Sequence, residues 1–200
     1  MPLWMVPVAL LLALSGPLFA QDVAVSSSVA PLSPRPLAEM LVPQEPPKVV
    51  PRLLDGADLS QVSIHVSLGR QRAYLSVGNE VAIDTPVSTG KPRAMTPKGE
   101  YKVKEKKTAY ASRFFGDYVD AQGRVVRSGV STRTDAAPAG TTFRSAAVQF
   151  FMRLTDEGLA LHAGPLPGYP AADCAVWLPA DIAPLFFQRV QVGTPVKIGD

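Results

Sequence analysis

The chain has 200 residues, 46% hydrophobic and 18% charged, with a net charge of +3; since one domain takes about 100 to 200 residues, this describes a single folded domain with a segment attached. These values exclude a largely disordered chain and a multi-span membrane protein, and the mild charge does not mark a nucleic-acid binder. One cysteine, Cys174, and two histidines, His65 and His162, allow no internal disulfide and no thiolate zinc site, so neither metal nor cofactor is expected.

Ten of the 20 prolines lie in the first 51 residues. Residues 1–20 predict an export signal. A short apolar core runs from Val6 to Leu14, the helix breakers Ser15, Gly16 and Pro17 follow, and Ala20 offers a small residue for cleavage before Gln21. An uncleaved anchor is the alternative, disfavoured by an apolar stretch under about 20 residues that Pro7 and Pro17 interrupt. With no cysteine near residue 20 there is no site for a lipid anchor, so the expected location is the periplasm or cell wall, without a stable membrane anchor once the signal is cleaved. Residues 21–60 hold prolines at 31, 34, 36, 43, 46, 47 and 51 and no sustained period, which predicts a semi-extended flexible tether.

From residue 61 the pattern alternates. Val62 to Leu68 and Ala73 to Val77 predict two strands of a hairpin around Gly69-Arg70, and Gly78-Asn79 turns the chain into a strand at Val81 to Ile83. Lys98 to Lys104 predicts another strand with Tyr101 and Val103 facing inward. Apolar stretches at Ala147 to Leu154, Leu159 to His162 and Val190 to Ile198 complete the set. Only Ala180 to Arg189 has helical spacing, and Pro184 limits it. The expectation over 61–200 is a mainly β domain, a sandwich or barrel with one or two short helices.

His65 shares a strand face with Ser63 and Ser67 and is explained as a solvent-facing histidine. The lysines at 98, 102, 104, 106 and 107 are most simply a solvated face, with an anionic site as the alternative. The chemistry concentrates instead between His162 and Pro179, where one histidine and the sole cysteine lie twelve positions apart in a segment rich in Gly and Pro that follows a strand. A thiol nucleophile needs a base within hydrogen-bond reach, and His162 could supply one. A structural thiol at Cys174 is the alternative.

Over Ser63 to Ile198 the sequence resembles the L,D-transpeptidase catalytic domains of bacterial cell walls (YkuD type). The resemblance rests on Gln71-Arg72-Ala73-Tyr74, Val87-Ser88-Thr89-Gly90-Lys91-Pro92, Thr96-Pro97-Lys98-Gly99, Gly116-Asp117-Tyr118-Val119-Asp120, Arg153-Leu154, His162-Ala163-Gly164 and Leu178-Pro179. It implies a β-sandwich-like fold and a peptidoglycan stem-peptide or glycan partner. It also implies chemistry in which a cysteine thiolate attacks the carbonyl of the third stem residue, expels the terminal D-alanine and passes the acyl group to an amine.

The family signature is Ser-His-Gly-Cys-(Val or Ile)-Arg before Leu-Pro, with an upstream histidine that His162 matches. Ungapped alignment puts Ala172 at the serine, Asp173 at the histidine, Cys174 at the glycine, Ala175 at the nucleophile and Trp177 at the arginine. The expectation is therefore a catalytically impaired stem-peptide binder. Gly164, Asp173 and Trp177 are its substrate-binding candidates, and His162 polarises the substrate or acts as a base. The alternative is an active L,D-transpeptidase with Cys174 as a shifted nucleophile carrying a thioester. A one-residue shift in an extended segment would turn that sulfur to the opposite face.

Overall fold

The computed structural model describes residues 44–92 and 95–200. The expected export signal and most of the expected tether, residues 1–43, lie outside them. The described residues form eleven strands: β1 (Lys48–Val49), β2 (Val62–Ser67), β3 (Arg72–Val77), β4 (Glu80–Pro86), β5 (Gly99–Lys102), β6 (Glu105–Val119), β7 (Val125–Ser131), β8 (Thr142–Arg153), β9 (Ala160–Ala163), β10 (Ala175–Leu178) and β11 (Pro195–Gly199). They make a six-stranded sheet ordered β1-β4-β3-β2-β11-β5 and a five-stranded sheet ordered β10-β9-β8-β6-β7. Two short helices accompany them, α1 (Pro51–Leu54) and α2 (Ala183–Arg189). This is the expected β-sandwich.

The alternation in β2 and β3 explains the core. Val62, Ile64, Val66, Ala73 and Leu75 point inward from the first sheet and meet Met152, Leu161, Val176 and Leu178 from the second, with Phe186 of α2 completing the cluster. Burying each such aliphatic side chain contributes about 1.5–3 kcal/mol. Outward-facing His65 stacks on its cross-strand neighbour Tyr74 with ring centres 5.8 Å apart, as its strand position suggests.

Two boundaries differ from expectation. The ordered domain begins before residue 61: Lys48 and Val49 pair with Asp84 and Ile83, and Leu54 is buried. The prolines there are compatible with structure because β1 is an edge strand and Pro51 opens α1, positions where a missing N–H costs nothing. Pro184 likewise occupies the first turn of α2, so it starts the helix rather than limiting it. The lysine run is divided among separate partners. Lys98 pairs with Asp200, Lys104 with Asp156 at 2.8 Å and Lys107 with Glu105 at 2.7 Å, while Lys106 reaches the Val190 carbonyl.

The longest strand, β6, escaped the sequence reading because its pairing is interrupted. Ala111 pairs with Ala147 and Gly116 with Ser145, so Ser112, Arg113, Phe114 and Phe115 on β6 stand opposite Ala146 alone on β8. This wide bulge bends the strand and breaks its two-residue period. The Ser112 hydroxyl pins it by accepting the backbone N–H groups of Phe114 (3.3 Å) and Phe115 (3.0 Å). The ladder resumes at Gly116, where a Cβ would lie 2.1 Å from the Arg144 carbonyl oxygen. Gly116→Ala must force β6 and β8 apart at the exit of the bulge. It is expected to lower stability by about 1–3 kcal/mol, measured as a reduced midpoint in urea.

Candidate active site

The second sheet carries the candidate site, and a clamp from the first sheet's side positions it. After β4 the chain runs through Val87 to Lys91 alongside the segment Ala171 to Trp177. Trp177 N–H donates to the Ser88 carbonyl (2.8 Å) and Ser88 N–H to the Trp177 carbonyl (3.1 Å). Ala172 N–H donates to Thr89 (3.0 Å) and Lys91 N–H to Ala172 (2.9 Å). Buried side chains close the remaining gaps. The Ser88 hydroxyl donates to the Tyr169 carbonyl (2.8 Å) and accepts from Ala171 N–H (3.0 Å). The Thr96 hydroxyl accepts from Gly90 N–H (2.8 Å) and donates to the Ala175 carbonyl (3.1 Å). Gln71 joins its amide to Thr89 in both directions. The Val87 to Pro92 and Thr96-Pro97 motifs thus act on the site by holding its backbone.

Held in this way, β10 lies parallel to β9, with Trp177 opposite His162 and Ala175 opposite Ala160. The sequence carries no alternating signal for β10, because both its faces are apolar. Val176 and Leu178 enter the core while Ala175 and Trp177 face a cavity of about 290 Å³. That cavity is walled by Tyr110, Phe114, Phe115, Phe151, His162, Ala175 and Trp177, with Ser112, Asp117, Arg153 and Asp173 at polar positions. Tyr110 stacks on Phe151 at 4.2 Å, and Arg133 lies 3.6 Å over the ring of Phe114.

The candidate residues divide. His162, Asp173 and Trp177 share the cavity with Ala175; Cys174 is not among its lining residues. Gly164 does not line the cavity. A Cβ there would come 2.5 Å from Trp177 Cγ, so its role is to let the indole pack against the backbone. Asp173 is engaged by Lys91 at 2.5 Å. The aromatic contribution of β6 was missed, since the bulge that turns Phe114 and Phe115 inward leaves no periodic signal.

Cys174 has φ of +50°, left-handed backbone that favours glycine. A left-handed residue with a Cβ costs about 1–2 kcal/mol, and glycine's freedom in the unfolded chain returns about 0.5–1 kcal/mol of any relief. Cys174→Gly is therefore expected to stabilise the protein by up to about 1 kcal/mol in urea denaturation. Cys174→Ala, which keeps the Cβ, is expected to bring no such gain.

The His162 Nδ1 lies 2.8 Å from the Ala163 carbonyl, which can only accept, so the proton of the neutral ring is on Nδ1 and Nε2 is an acceptor. Burial pushes the imidazole below its ordinary value, outweighing the Ala163 carbonyl, which favours the charged ring. Protonation then favours the unfolded chain, whose histidine titrates near 6.5. The contribution of neutral His162 is whole above about pH 6.5 and is lost as pH falls toward the folded-state value. Melting temperatures at pH 7 and pH 5 are expected to differ more for the unaltered protein than for His162→Gln.

No curated protein matches the chain. Solved structures do. An L,D-transpeptidase from Mycobacterium smegmatis is 21% identical, with a TM-score of 0.53, and the match covers 69% of this chain and 58% of that one. L,D-transpeptidase 3 from Mycobacterium tuberculosis, in complex with a faropenem-derived adduct, is 19% identical with a TM-score of 0.51, covering 70% and 60%. An L,D-transpeptidase from Stackebrandtia nassauensis is 12% identical with a TM-score of 0.50, covering 74% and 62%. At these identities the likeness is one of fold, and the chain spans about three-fifths of the length of each. The L,D-transpeptidase catalytic domain family, YkuD, matches residues 61–198. With the match running from the first strand of the hairpin to the last strand of the sheet and enclosing the clamped His162 cavity, this chain belongs to the L,D-transpeptidase catalytic domain (YkuD) family.

Proposed function

We propose that this protein is an exported member of its family that binds peptidoglycan stem peptides in the His162 cavity without forming a covalent acyl-enzyme, acting as a binding or regulatory module at the cell wall. One observation carries the reading. Ala175, a methyl group, lines the cavity together with His162, while Cys174 is not among the lining residues. A covalent acyl transfer requires a nucleophile at the reacting carbonyl, and a methyl group supplies none. The backbone supports the same register from a second direction. The left-handed φ at Cys174 suits the glycine of the family signature, so the residue that follows, Ala175, takes the nucleophile's place. The Asp173 carboxylate, tied to Lys91, replaces the signature's histidine, and Trp177 replaces its arginine.

The retained scaffold is what binding requires. The cavity keeps His162 Nε2 as a hydrogen-bond acceptor, and the buried clamp that preorganises the site carries no catalytic group of its own. Loss of the nucleophile with retention of a shaped cavity is the arrangement expected of a protein that recognises its ligand and releases it unchanged.

Incubation of the purified protein with a carbapenem or a tetrapeptide muropeptide, followed by intact mass spectrometry, is expected to give no added mass, while binding to isolated sacculi is retained. An adduct on Cys174 that disappears in Cys174→Ala would overturn the proposal. Restoring the signature tests the register: Ala175→Cys combined with Asp173→His is expected to acquire a carbapenem adduct at residue 175.

A further inference from the structure

We infer that the cavity and the guanidinium groups beside it bind the terminal residue of a peptide, one bearing a ring-sized apolar side chain and a free α-carboxylate. The inference deepens the proposed function, since it names the kind of stem terminus that the altered site would select, and it rests on that reading for the peptide's source.

Volume and lining decide the first half. At about 290 Å³ the cavity stands at the lower edge of the range of small-molecule sites, roughly 300–1,000 Å³, which is room for one side chain and its backbone rather than for a disaccharide. Its walls are flat and apolar. The Tyr110–Phe151 stack forms one face, and the β6 bulge delivers Phe114 and Phe115 from another. Ala175 and Ala146 leave open the space between these rings. An aromatic or branched side chain gains offset-stacked and edge contacts there, whereas an alanine methyl leaves the walls unfilled.

Charge decides the second half. Tyr110 and Arg153 line both this cavity and an adjoining cleft that also holds Arg113 and Lys107. Around that cleft, Glu105 is engaged by Arg153 and Lys107, and Asp156 by Lys104, so four cations face two carboxylates. Arg113 has no carboxylate partner among the described residues; its guanidinium lies 5.7 Å from the centre of the Phe114 ring. Arg153 lies 5.4 Å from the centre of the Tyr110 ring, and Arg113 lines the same cleft. A carboxylate arriving at this edge while its side chain enters the cavity meets two guanidinium groups, the donors best shaped to hold it.

The test titrates the purified protein with N-acetyl-phenylalanine, each enantiomer separately, following Trp177 fluorescence and binding heat. At least one enantiomer is expected to bind. N-acetyl-phenylalaninamide, which lacks the carboxylate, and N-acetyl-alanine, which lacks the ring, are expected to bind at least tenfold more weakly. Free phenylalanine, whose ammonium meets the same cations, is expected to be weaker than the acylated form. Equal affinity for the amide, for N-acetyl-alanine or for free phenylalanine would overturn the inference, and these comparisons need no variant. Arg113→Gln is expected to weaken N-acetyl-phenylalanine at least fivefold, and Ala146→Phe, which fills the cavity, to abolish binding, each variant having first been checked for an unchanged circular dichroism spectrum. Sacculus binding separates this inference from the proposed function. If sacculi bind but no acylated phenylalanine does, the terminal-residue inference fails and the proposed function stands; if neither binds, both fail.

Discussion

The backbone clamp between Ser88–Lys91 and Ala172–Trp177 is the constraint on which the rest of the site depends. Four main-chain hydrogen bonds, together with the buried hydroxyls of Ser88 and Thr96, hold a segment containing Gly168, Pro170 and a left-handed Cys174 that has little tendency of its own to stay in place. Ser88 and Thr96 are buried, so breaking a bond of the Thr96 hydroxyl would leave a buried donor or acceptor unpaired at a cost of about 1–3 kcal/mol. Register follows directly. With Trp177 fixed against Ser88, β10 meets β9 so that Ala175 and Trp177 face the cavity and Val176 and Leu178 face the core. A shift of one residue would exchange the two sets and place the indole in the hydrophobic interior.

The same register converts a sequence difference into a chemical one. On the cavity wall beside His162 the residue presented is an alanine, Ala175. The sulfur is one position away, on a residue whose backbone takes the conformation that favours glycine. Proximity along the chain therefore counts for little: of these adjacent residues, Ala175 lines the cavity and Cys174 does not.

Around Ala175 and His162 the cavity is an apolar enclosure. The bulge in β6, pinned by Ser112 and released at Gly116, brings Phe114 and Phe115 toward β8, where the Tyr110–Phe151 stack and Trp177 complete the walls. Burial among these rings also pushes the His162 imidazole below its ordinary value.

Much of the fold was legible in the sequence. Alternation marked β2 and β3, turn residues marked their hairpin, and Met152, Leu161, Val196 and Ile198 fell in stretches expected to be strands; all are buried. The altered signature around Ala175 was also legible, because residue identity is a one-dimensional property. Tertiary structure alone decided what has no period. Pro46 and Pro47 lead into an edge strand and Pro51 opens a helix, since a missing N–H is harmless only where no neighbour needs it. β10 is a strand because the Ser88 clamp and β9 supply partners on both its sides, though its own sequence is apolar on both faces. Gly164 lets Trp177 pack against its backbone, and Phe114 and Phe115 line the cavity, because close approach and a four-residue bulge are set by packing between segments distant in sequence. The sequence by itself determined which chemical groups are present; the pairing of strands decided which of them face one another.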